Sequence, residues 1–219
     1  SIFADSGAVA SNNPGSNLRL SSGICRTRDI MATGGRVAFG TDGISFSDSE
    51  DMFAELRLAC YLQRFPRDFD VVRLDSEEVF RAAAVNGARA FRQEEGLGSL
   101  TEGKLADLLI VDSRRILFPP GRYESEPILN VILDRAQAVD LQHVMIDGEL
   151  VMRDRVITTI DEAAVMNRVA EAVEKRIYRL SPEVKRWIEL GDAVMPNVVD
   201  FYKRWYSIPG EPAHAYNTR

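Results

Sequence analysis

The stretch Val37-Ala38-Phe39-Gly40-Thr41-Asp42-Gly43 decides how this chain is read. Its first three residues form a short apolar run that predicts a buried strand. The run ends by presenting one carboxylate, Asp42, between two glycines. Gly40 and Gly43 let the backbone turn sharply or approach a ligand closely, which a larger residue hinders. Barrel and open α/β enzymes place catalytic groups at that end of a buried strand. An isolated Thr-Asp-Gly would more simply be a turn or a helix cap, so the flanking sequence has to decide.

Working outward, Gly7-Ala8-Val9-Ala10-Ser11 and Gly35-Arg36-Val37-Ala38-Phe39 are two Gly-x-Val-Ala strands 28 residues apart. Thr27 to Thr33 lies between them as a short helical stretch with Ile30 and Met31 on its apolar side. That order predicts a parallel strand–loop–helix–strand unit. A helix follows from Asp51 to about Phe65, with Met52, Leu56, Ala59 and Cys60 at helical spacing and Pro66 as its stop. A second runs from about Glu77 to Arg92, with Asp75 and Glu78 at capping-box spacing and Val79, Phe80, Ala83, Ala84 and Ala88 on one face. From Gly96 the character changes to β. Lys104 to Asp112 predicts a strand, Val131 to Val139 another, and His143 to Arg153 a hairpin turning at Asp147-Gly148. Beyond Thr159 the pattern is helical again. Val165, Val169, Ala172, Val173, Ile177 and Leu180 make a stripe, with Thr159 and Glu162 at capping-box positions. Ser181-Pro182 opens a further short helix that Gly191 closes, and Pro209 to Arg219 reads as an extended tail. The expected domains are therefore residues 1–95, 96–158 and 159–219.

Composition narrows the partners. The chain has 219 residues, 45% of them hydrophobic, and a formal net charge of -6. No run of Lys or Arg forms a basic stripe, so a nucleic-acid partner has no electrostatic support. No stretch approaches the length of a membrane span. Cys25 and Cys60 form neither a disulfide framework nor a Cys-x-x-Cys pair, which predicts buried free thiols in a reducing, cytoplasmic setting. The opening residues have no signal-peptide pattern. They read as the tail of a helix closed by Gly7, as expected of a truncated chain.

Three segments, taken in order, resemble the C-terminal half of the amidohydrolase superfamily, in the branch of triazine hydrolases, guanine deaminase and adenosylhomocysteine-type deaminases. Asn13-Pro14-Gly15-Ser16-Asn17-Leu18-Arg19-Leu20-Ser21-Ser22-Gly23 is similar to that branch's loop after barrel strand seven. Gly40-Thr41-Asp42-Gly43, with Ser47 and Asp51 to Arg57, resembles strand eight and its helix. Ala84 to Ala90, then Leu97 to Asp112, resembles the return from the barrel into a small β-sandwich. The resemblance covers residues 7–153 almost continuously.

It implies an α/β fold: the C-terminal part of a (β/α)8 metal-dependent hydrolase barrel, part of a small β-sandwich domain, and C-terminal helices. It also implies a divalent metal ion, zinc or iron, at the barrel mouth. By that resemblance Asp42 is a metal-side carboxylate and the catalytic proton carrier. Ser16 and Asn17 then stand beside the substrate, a small heterocycle such as a purine, pterin or triazine. For Asn17 an Asx turn bracing its own loop is an equal reading. Asn12 stands where the family often has a histidine, which puts that substrate contact in question. The family's metal rests on histidines of earlier strands, and this chain has only His143 and His214. Neither is expected to be a ligand, and a catalytic zinc needs three protein ligands.

The missing ligands predict a partner, the N-terminal half of the same enzyme on another chain, in a homo- or hetero-oligomer. The expected reaction is hydrolysis of a C–N bond. The alternatives are displacement of chloride or an alkylamine, or a catalytically incomplete structural or assembly fragment. Glu55 is expected on a solvated face and Arg57 as a packing partner. Asp107 and Asp112 are expected to fix turns, and Trp187, Trp205, Tyr202 and Tyr206 to pack or to form an interface.

Overall fold

The fold is that of a computed structural model, which describes residues 2–43, 50–64, 74–174 and 181–206. The chain divides after Thr159 into two units.

The first unit opens with α1 (Ile2–Asp5), closed by Gly7 in the left-handed region. Strands β1 (Val9–Asn12) and β2 (Arg36–Phe39) then pair in parallel, with Val9 opposite Arg36 and Asn12 opposite Phe39. Between them lie α2 (Pro14–Arg19) and α3 (Thr27–Ala32). The segment after β1 is thus partly helical, because Pro14 sits at the first helical turn, where its missing N–H costs nothing. Gly35 lets α3 lie against β2: a Cβ there would come within 2.8 Å of the Ile30 carbonyl oxygen.

Helix α4 (Met52–Tyr61) is capped by Asp51, whose carboxylate accepts from the Phe53 and Ala54 amides. It ends well before Pro66, and Phe65 and Pro66 lie outside the described residues. Helix α5 (Ser76–Arg81) has the expected reciprocal capping box between Asp75 and Glu78. It passes through a π-helical turn, Ala82–Asn86, into α6 (Gly87–Ala90). Val37, Phe39, Leu56, Ala59, Cys60, Val79, Ala82 and Leu133 close into one core. The two-stranded sheet thereby becomes the floor of a helical layer.

Strands β3 (Leu108–Val111), β4 (Leu141–Ile146), β5 (Glu149–Arg153) and β6 (Val156–Ile157) form an antiparallel sheet in that order. Asp147 and Gly148 both take positive φ at the predicted hairpin turn, the geometry that matches strand twist. Asp107 accepts from the Asp147 amide at 2.7 Å, and Asp112 caps α7 (Ser113–Ile116), so both aspartates fix local geometry as expected.

Val131 to Val139 is not a strand. It is α8 (Ile128–Arg135) followed by a 3-10 turn, Ala138–Asp140. The apolar run reads as β by propensity, but its last carbonyls are taken by distant arginines. Arg57 donates to the Leu133 and Ala136 oxygens, and Arg115 to that of Arg135. Cationic donors at a helix C-terminus satisfy its unpaired carbonyls and its dipole.

The second unit contains α9 (Glu162–Glu174) and α10 (Pro182–Tyr206). Asp161, not Thr159, caps α9, accepting from the Ala164 amide at 2.9 Å. Gly191 does not close α10, and the helix continues through it and through Pro196. Val184, Trp187 and Ile188 before Gly191, and Val194, Met195 and Val198 after it, keep helical spacing, so the stripe outweighs the breakers. Trp187 is exposed on this helix. Ile177, Leu180, the side chains of Trp205 and Tyr206, and the tail with His214 lie outside the described residues.

Candidate active site

Because β1 and β2 run in parallel, both exits open on the same side of the sheet. The Gly40 amide donates to the Asn12 oxygen at 3.1 Å, carrying the ladder one step beyond the strands. A Cβ on Gly40 would stand 2.7 Å from the end of the Asn13 side chain, which would have to move to admit it at this close crossing.

Past that crossing the two exits meet. Ser16, on α2, is 2% exposed, and its hydroxyl donates to Asp42 Oδ2 at 2.7 Å. Asp42 is exposed and holds a left-handed backbone, φ 62°. Aspartate tolerates that conformation better than most residues, and such strain gathers at functional sites. Ser16 and Asp42, 26 residues apart in sequence, are therefore joined directly.

Asn17 points elsewhere. Its amide donates to Asn12 Oδ1 at 3.3 Å. Asn12, 3% exposed, in turn donates to Thr27 Oγ1 at 3.0 Å. Asn12 is thus satisfied internally, by α3 and by its own loop. Gln63 stitches the next loop, donating to the Cys25 oxygen and accepting from the Arg28 amide. Loop residues 44–49, Ser47 among them, lie outside the described residues.

The expectation for Glu55 was wrong. It is 4% exposed rather than solvated, and its carboxylate accepts from the Gly15 amide at 2.8 Å. Helix α4 packs on two sides, with Leu56, Ala59 and Cys60 in the core and Glu55 under α2. Burial pushes the Glu55 pKa up, and the Gly15 N–H partly offsets this. Sequence gave no signal for it, since its partner is a backbone amide 40 residues earlier.

The residues present do not make a metal centre by themselves. Among the described residues no three His, Cys, Asp or Glu side chains come together as a metal site. His143 lies in β4, where Nδ1 accepts from the Asp154 amide at 3.2 Å. Cys60 is buried and Cys25 partly exposed, both free. Burial pushes the Cys60 thiol up to about 11.

The sequence model of the amidohydrolase family matches residues 3–151. The chain belongs to the amidohydrolase family. It is 34% identical over 178 residues to the 5-methylthioadenosine/S-adenosylhomocysteine deaminase of Acetivibrio thermocellus, covering 81% of this chain and 40% of that protein. Among solved structures, a zinc-bound adenosine deaminase from Xanthomonas campestris superposes with a TM-score of 0.72 at 29% identity, over 80% of this chain and 38% of that one. Atrazine chlorohydrolase of Arthrobacter aurescens, complexed with zinc, gives 0.64 at 25% identity, over 77% and 36%. The fold is therefore that of part of the larger (β/α)8 amidohydrolases, and the chain spans about two-fifths of the length of these relatives. Among the described residues no helix is long and apolar enough to cross a membrane.

Proposed function

We propose that this chain carries the last two βα units of a metal-dependent amidohydrolase that hydrolyses a C–N bond and releases ammonia from a purine-type heterocycle. The observation that supports this most is the Ser16–Asp42 hydrogen bond at the shared exit of β1 and β2. It unites two motifs that the family resemblance assigns to one active-site mouth. The deaminase names of the relatives favour a purine over a triazine.

In this reading Asp42 is the proton carrier. One carboxylate oxygen takes a proton from the attacking water, while the other is held by the Ser16 hydroxyl. The proton then passes to the leaving nitrogen, so that ammonia departs neutral. Ser16 orients this carboxylate rather than contacting substrate. Asn17, already engaged with Asn12, braces the loop. A divalent metal, zinc in the two neighbours cited, would supply a lowered water pKa. Its other ligands come from the N-terminal half of the enzyme, in an assembly completed from outside these 219 residues. The open two-stranded sheet supports that assembly, since two strands cannot close a barrel.

The test is to co-express the chain with the part of the Acetivibrio thermocellus relative that it does not match. Zinc content and ammonia release from adenosine, 5-methylthioadenosine, guanine and a triazine are then measured. A purine substrate should release ammonia, and Asp42→Asn should lower that rate by roughly 10²–10⁴-fold. A zinc-loaded assembly whose turnover ignores Asp42→Asn contradicts the proposal. Chloride release from a chlorotriazine would move it to another leaving group.

A further inference from the structure

Glu55 is a buried carboxylate that the proposed chemistry does not use. It lies flush against the backbone of α2. A Cβ on Gly15 would stand 2.3 Å from Glu55 Oε1, 3.2 Å from Cδ and 3.3 Å from Oε2. A side chain there would have to push the carboxylate aside, and the carboxylate accepts directly from the Gly15 amide. The next residue is Ser16, whose hydroxyl holds Asp42. Both residues belong to the first turn of α2, whose helical backbone carries the position of the Gly15 amide on to the Ser16 Cα.

The base of this relay is stiff. Asp51 caps α4, Leu56, Ala59 and Cys60 lock it into the core, and Arg57 ties it to the end of α8. A glutamine could accept from the same amide without the cost of burying a charge. An ionised acceptor makes the shorter, stronger bond, which suits a part whose task is to hold position.

We propose that Glu55 is a positioning residue for Asp42, acting through the Gly15 amide and the Ser16 hydroxyl. The inference rests on the role proposed for Asp42, and its test separates the two.

The first arm uses the full chain and needs no activity. Glu55→Ala should speed hydrogen exchange at the Gly15 amide by roughly tenfold or more, the loss of one charge-assisted bond, while Val37 and Ala38 keep their protection. A crystal structure of that variant should show Ser16 Oγ and Asp42 Oδ2 no longer within hydrogen-bond reach. An unchanged contact, or exchange that rises equally throughout the sheet, overturns the inference. Should Glu55→Ala fail to fold, Gly15→Ala displaces the carboxylate from the other side and must produce the same separation.

The second arm uses the completed zinc-loaded enzyme. Glu55→Ala should lower kcat with KM nearly unchanged, and Glu55→Gln, which keeps an oxygen at the same reach, should restore most of it. The double variant with Ser16→Ala should lose no more than Ser16→Ala alone, because both act on one contact. Additive losses overturn the relay. If the wild-type assembly releases no ammonia at all, the deaminase reading fails, while the exchange and crystallographic results still judge Glu55.

Discussion

Replacing Arg57 with alanine should destabilise the first unit more than any exposed substitution, and the structure sets the size. Arg57 Nε donates to the Leu133 oxygen at 2.9 Å and Nη2 to the Ala136 oxygen at 2.5 Å. Leu133 is 7% exposed and Ala136 fully buried, so water does not readily replace the lost donors. A hydrogen bond to a charged group contributes about 1.5–3 kcal/mol, which puts the pair at roughly 3–6 kcal/mol. Lysine has one ammonium and cannot span both carbonyls in the same geometry, so Arg57→Lys should lose roughly half of that. The assay is urea unfolding followed by far-UV circular dichroism. Tryptophan fluorescence would mislead, because Trp187 and Trp205 both belong to the second unit. With a urea slope of about 2 kcal/mol/M, the alanine variant should unfold roughly 1.5–3 M earlier. A loss below about 1 kcal/mol, or a lysine variant equal to wild type, would refute the view that α4 caps α8.

Three further outcomes follow from the same geometry. Asp140 is 3% exposed, and the Arg115 guanidinium holds its carboxyl below the usual range, with burial opposing. A depressed folded pKa gives stability that is present above the unfolded value, near 3.9, and is lost as pH falls through the folded one. Thermal midpoints of wild type and Asp140→Asn should therefore converge below about pH 4, and a constant gap would contradict this. For the thiols, a disulfide reagent at about pH 8 should label Cys25 first, with Cys60 reacting only on unfolding, since burial pushes its thiol up to about 11. Two equal rates would count against a buried Cys60. Finally, Asp161→Ala should weaken α9 by about 1 kcal/mol through loss of its cap, while Thr159→Ala should change nothing measurable. Helicity of the two variants in circular dichroism decides between them.

Much of the site was legible because its parts are local. The run Val37 to Phe39 and its earlier copy at Val9 to Ser11 named two strands, and their spacing of 28 positions named a parallel crossover. Asp42 and Ser16 were both singled out by family motifs, but their contact was not. It depends on the left-handed turn at Asp42 and on α2 starting at Pro14. Glu55 was misread for the same kind of reason. Helical spacing describes one stripe, and α4 is buried along a second side by a backbone amide that periodicity does not encode. Val131 to Leu133 looked like a strand because β-branched residues favour one. In the fold it is helical, its buried face packs Val131 and Leu133, and its last carbonyls accept from Arg57 and Arg115, one of them far earlier in the chain.

The pairing of β2 links fold completion to the site. The Gly40 amide faces β1, so by alternation Ala38 also faces β1 while Val37 and Phe39 direct their backbone groups to the opposite edge. On that edge the Val37 carbonyl is taken by the Asn86 side-chain amide at 2.9 Å, reaching from the π-helical turn. A side chain thus fills the role of a neighbouring strand at the lower end of β2, where no chemistry is expected. A further strand joining this edge would meet Phe39 next, at the end where Asp42 stands. Pairing with that strand and walling in the Asp42 carboxylate are then one event. Asp42 is exposed at that end of a sheet that is two strands wide among the described residues.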